Sequence, residues 1–143
     1  MTPAKKRPAR KAAFTKEEQE AMRERVRELK EGPVEGDAVV LAKLATLSPS
    51  DRAIGERLHA IITSAVPALV PRLWYGMPAY SKDGNVLCFF QCADKFKTRY
   101  TTVGFSDKAA LDDGAMWPTS FAIHELTAEV EHKLTALLRR AAR

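Results

Sequence analysis

Two short runs carry the aromatic and thioether groups best suited to holding a small ligand: Trp74, Tyr75, Met77 and Tyr80, then Met116 and Trp117. In the first run Gly76 permits a strand distortion and Pro78 withholds an amide from a sheet ladder, while Pro118 makes a second break just after Trp117. If the two breaks lie close together, the six side chains line one cleft, with phenol and indole groups as polar handles. The same residues also suit core packing and edge-strand protection.

Lys95, Lys97 and Arg99, interleaved with Phe96 and Tyr100, form a basic-aromatic cluster beside Asp94. Three cations next to an acid read as a solvated turn entering a strand, not as a nucleic-acid platform. If Lys97 and Arg99 point to one side, they can meet a carboxylate or phosphate near the aromatic segment.

Metal chemistry has weaker support. Glu129-x-x-His132 is half of the paired carboxylate-histidine pattern of di-iron bundles; the second copy is missing, and His59 and His124 show no ligand spacing. Asp107, Asp112, Asp113, Glu125, Glu129 and Glu131 are the best acidic candidates for weak oxygen coordination, although Asp112-Asp113-Gly114 also reads as a solvated turn. Cys88 and Cys92 on one strand stand about 13 Å apart at ~3.3 Å per residue, too far for a disulfide or a shared ion, and read as buried small hydrophobes. The chain lacks a Gly-x-Ser-x-Gly elbow, a phosphate loop, a dinucleotide fingerprint and His-Glu-x-x-His. His124 and Glu125, adjacent on a strand, point to opposite faces and do not converge as an acid/base pair. The reading is of a protein more suited to binding than to catalysis, with no cofactor expected.

The elements that must position these residues change character along the chain. Thr15 and Glu18 form a capping box that starts a helix with a narrow apolar stripe, Met22, Val26 and Leu29, ending at Gly32-Pro33 and lying across the outside. Asp37 can cap a second helix carrying Val40, Leu41, Leu44 and Leu47. Ser48-Pro49-Ser50-Asp51 begins a third, whose Ile54, Leu58, Ile61, Ile62 and Ala65 form a wall of the core. After Pro71 the period changes. The pattern predicts an extended, broken strand over 73–80, a turn over 81–85, a central strand over 86–92, a turn over 93–97 and a strand over 99–105. A short helix after Asp107 and a Pro-interrupted edge strand over 116–123 follow. Thr127 caps a last helix with Val130, Leu134, Leu137 and Leu138 inward. This is α+β architecture: a small, mainly antiparallel sheet packed against N-terminal helices and a C-terminal helix.

The run Tyr75-Gly76-Met77-Pro78-Ala79-Tyr80, followed by Asp83-Gly84 and Val86-Leu87-Cys88-Phe89-Phe90, resembles the YdhG-like family, also called DUF1801, of small bacterial α+β domains. The resemblance covers roughly residues 39–138. Some members have been proposed as frataxin-like iron chaperones, so it implies iron binding as an alternative to binding a small ligand or protein partner.

Composition bounds the remaining classes. The 143 residues fit one domain over 14–143 behind a tail over 1–13, and the 45% hydrophobic and 29% charged fractions are ordinary for globular chains. No apolar run suffices to cross a bilayer and no signal sequence follows the basic start, so a cytoplasmic protein without membrane contact is expected. Of the net charge of +5, all sits in the tail: Lys5, Lys6, Arg7, Arg10 and Lys11 are five of the 23 basic residues, leaving 18 against 18 acidic ones. The tail reads as disordered and suited to weak, salt-sensitive nucleic-acid contact, while the neutral body offers no basic groove.

Overall fold

Reciprocal capping opens the structured chain: the Thr15 amide donates to Glu18 Oε1 and the Glu18 amide to Thr15 Oγ1, each at 3.1 Å. A computed structural model describes residues 14–31 and 35–143; the basic tail and the Gly32-Pro33 stop lie outside the described residues. The capping box starts α1 (Lys16–Glu31); α2 (Asp37–Leu44) and α3 (Pro49–Ala65) follow. Ser48 Oγ accepts the Asp51 amide at 3.3 Å and Pro49 occupies the first turn, where its missing N–H costs nothing. Asp37 does not cap α2. Gly36, at φ 114°, takes that position, and the Asp37 carboxylate meets His59 instead.

Five strands then form an antiparallel meander in chain order: β1 (Val70–Trp74), β2 (Met77–Lys82), β3 (Asn85–Gln91), β4 (Thr101–Phe105) and β5 (Ser120–Ile123). The single broken strand expected over 73–80 is a hairpin. Tyr75 and Gly76 take φ values of 54° and 73°, both left-handed, as a two-residue turn between twisted strands requires. Asp83 and Gly84 repeat the device between β2 and β3. Pro78 is tolerated because pairing of β2 with β3 begins at Ala79, one residue later. Residues 93–97 contain a one-turn helix, α4 (Ala93–Phe96), ended by Lys97 at φ 55°; no helix follows Asp107.

α5 (Ala128–Ala141), capped by Thr127, joins α2 and α3 on one sheet face. There Val40, Leu44, Leu58, Ile62, Leu134 and Leu138 pack on Tyr80, Cys88, Phe90, Val103 and Ile123. Each fully buried aliphatic side chain contributes about 2 kcal/mol. The opposite face carries Trp74 against Phe89, and the Phe89 ring occupies the space above Gly104. No described helix is long and apolar enough to cross a membrane.

α1 overturns the expected amphipathicity. Met22, Val26 and Leu29 are 40, 51 and 66% exposed, whereas Glu17, Ala21, Glu24, Arg25 and Glu28 turn toward the body. A polar inward face docks because its counterparts are polar. Glu24 meets Lys43 and Lys95 at 3.0 and 3.2 Å, and Glu28 accepts the turn amides of Tyr75 and Gly76, both at 3.3 Å.

Candidate ligand-binding clefts

The meander separates the aromatic candidates. β1 and β5 are opposite edges of the sheet, four strand spacings or about 19 Å apart, so Trp74 and Trp117 share no cleft. Trp74 packs on Phe89, and Trp117 lies half-buried against the core in the loop before β5. Met116 is 88% exposed. Tyr80 points into the core with no exposed surface.

Tyr75 and Met77 do meet, in a different place. With Met22 of α1, Phe96 of α4, Gln91 and Lys97 they line a cleft of about 480 Å³ between α1 and the sheet end. Tyr75 is fixed by its hairpin turn and carries the Arg25 guanidinium 5.0 Å from its ring centre. Gly76 suits its positive φ, and a methyl there would land 2.1 Å from Glu24 Oε2, so the carboxylate would have to shift away from the turn. Lys97 ends α4 in a left-handed conformation.

An ionic cluster ties α1 to α2, to α4 and to the hairpin turn. Lys95 Nζ donates to the Gly76 carbonyl at 2.9 Å and faces Glu24, which also holds Lys43. Burial raises the Glu24 pKa, but the Lys43 hydrogen bond and the charges of Lys95 and Lys43 outweigh it, leaving the carboxyl below its ordinary value. Lys95 is also pulled down, by burial first and then by the Lys43 charge, which together exceed the pull of Glu24. The two ammonium groups beside one carboxylate account for the Glu24 shift, whereas burial leads the Lys95 shift.

α4 is itself held by α3 through a reciprocal clasp. Buried Asp51 accepts the Asp94 and Lys95 amides at 3.2 and 2.9 Å, while Asp94 Oδ2 accepts the hydroxyls of Ser48 and Ser50, both at 2.8 Å. Those hydroxyls lower the Asp94 pKa. Arg99 falls beyond this clasp. It opens into a separate cleft between α3 and the β4–β5 edge, so Lys97 and Arg99 line different clefts.

A polar chain that runs from exposed Asp37 into the core escaped the sequence reading. His59 Nε2 contacts Asp37 Oδ1 at 3.0 Å, and His59 Nδ1 and the Tyr80 hydroxyl are hydrogen-bonded at 2.8 Å. Burial pushes the Tyr80 phenol well above its ordinary pKa, with neighbouring thiols and Asp37 adding to it. The available signal was His59 standing on the inward stripe of α3, beside Leu58 and Ile62. A histidine there must find polar partners.

The metal candidates stay apart. Asp107, Asp112, Asp113 and Glu125 are exposed; the Asp112 carbonyl accepts from Arg140 at 3.0 Å. Glu129 pairs with Lys133 at 3.5 Å, Glu131 pairs with Arg57, and His132 is exposed. Among the described residues no group of three or more His, Cys, Asp or Glu side chains is placed to hold a metal ion. Cys88 and Cys92 are free and buried, and burial pushes both thiols up to about 12. No family model, curated protein or solved structure matches this chain.

Proposed function

We propose that this chain is a YdhG-like domain that binds a small organic molecule without transforming it, in the cleft between α1 and the end of the sheet. The observation that carries the reading is the meeting of Tyr75, Met77, Met22 and Phe96 around one cleft with Lys97 among its lining residues. Aromatic and thioether walls favour a flat, largely apolar body, and an ammonium favours an acceptor group on it. The residues resembling the family are the ones that build this end of the sheet, since Tyr75-Gly76 makes the turn and Met77 begins β2. The Asp37–His59–Tyr80 chain does not offer a reactive group to a ligand, because its phenol is sealed in the core.

The test is a panel of mono- and bicyclic aromatic fragments followed by amide chemical shifts of the full chain. Saturable shifts are expected at Tyr75, Gln91 and Phe96 to Thr98, with Tyr75→Ala weakening binding about tenfold, the worth of one well-packed aromatic contact. The reading fails if no fragment saturates, or if saturable shifts fall outside this cleft.

A further inference from the structure

The cleft on the other side of the clasp, about 520 Å³ between α3, α4 and the β4–β5 edge, has an acidic wall, a basic wall and an apolar floor. Asp94 stands on the acidic wall. Both neighbouring hydroxyls bond to its Oδ2, and Oδ1 has no partner among the described residues. Asp51 behind it is spent, each oxygen accepting an amide of α4. On the basic wall Arg57 is engaged by Glu131, whereas Arg99 lies 5.4 Å from the Tyr100 ring centre with no carboxylate partner among the described residues. Ile54, Ile123 and Leu126 supply the floor.

We propose that this cleft is a second binding site, for a small zwitterion of amino-acid or short-peptide chemistry, its ammonium on Asp94, its carboxylate on Arg99 and its apolar side chains on Ile54, Ile123 and Leu126. A simple anion is disfavoured because Asp94 repels it, and a simple cation because Arg99 does. Only a molecule with both charges satisfies both open groups, and a planar guanidinium held against an aromatic face is well shaped for a carboxylate. The volume lies within the range of small-molecule sites. The site shares no lining residue with the cleft beneath α1, so it stands or falls separately from the proposed function.

The experiment titrates the full chain with the dipeptide Leu-Leu, its N-acetyl form and its C-terminal amide, following amide chemical shifts. Saturable shifts are expected at Ile54, Arg99 to Thr101 and Ile123 to Leu126, with each capped form at least about tenfold weaker, as loss of one charge-assisted bond implies. Arg99→Gln should erase the preference over the amide and Asp94→Asn the preference over the acetyl form. Arg99 is exposed, so its variant remains folded and decisive even if Asp94→Asn loosens the clasp. Free leucine with the same two selectivities supports the site with a shorter ligand. Shifts elsewhere, no saturation by about 10 mM, or capped forms binding as well as the free dipeptide overturn the proposal.

Discussion

Replacing Asp51 by alanine tests the clasp that positions both clefts. Asp51 is 3% exposed and its two oxygens accept the amides of Asp94 and Lys95. These amides belong to the first turn of α4, where no intrahelical carbonyl can serve them. A hydrogen bond to a charged group contributes ~1.5–3 kcal/mol, and water recovers part of the loss because Asp94 reaches solvent. The expected cost is therefore about 3 kcal/mol for the pair, or roughly 12 °C in Tm for a domain of this size. Asp51→Asn keeps one acceptor but sets its NH₂ against the other amide, so about 2 kcal/mol is expected. Urea unfolding followed by the fluorescence of Trp74 and Trp117 measures both, with an unchanged slope showing that the folded state alone is affected. A loss below about 1 kcal/mol for Asp51→Ala would refute the assignment of Asp51 as the cap of α4.

Two further outcomes follow from the geometry. Because the folded Glu24 carboxyl lies below its ordinary value, the unfolded chain binds more protons as pH drops beneath 4.5; the stability from Glu24 is present above that pH and lost as pH falls through the folded pKa. Glu24→Gln should remove this component of acid unfolding and raise amide exchange across α1, whereas an unaltered acid limb would contradict the cluster. In Gly104→Ala the new methyl would sit 2.4 Å from the Phe89 ring, so a loss of about 1–3 kcal/mol is expected, largely restored in Gly104→Ala/Phe89→Leu; a stable single variant would show that the ring moves freely.

Local chemistry was legible in the sequence where one element decides it. The Thr15–Glu18 box, the Ser48 and Thr127 caps, the inward stripe of α3 and the central place of the apolar 86–92 segment all depend on spacing within a few residues. Features set by the partner of an element were not legible. Tyr75-Gly76 reads equally as a distortion or a turn until β2 is seen to fold back on β1, and strand order then sends Trp74 and Trp117 to opposite edges. The apolar stripe of α1 was visible, but its orientation depends on Lys43, Lys95 and the hairpin amides, which lie far away in sequence. For the same reason Asp94, read only as the acid beside a basic cluster, and His124 emerge as cleft residues only once α3 and β5 are in place.

The inverted docking of α1 gives this helix a different thermodynamic character from the rest of the fold. Detaching a surface held by carboxylates, ammonium groups and turn amides exposes little apolar area, so the step carries a small heat-capacity change, while unfolding of the core carries a large one. Added electrolyte weakens the first and scarcely touches the second. Warming lowers the dehydration penalty of ion pairs, so α1 keeps its place on heating better than a helix held by greasy contacts of similar strength. Salt and heat therefore act on different parts of the molecule, salt on the seat of α1 and heat on the core.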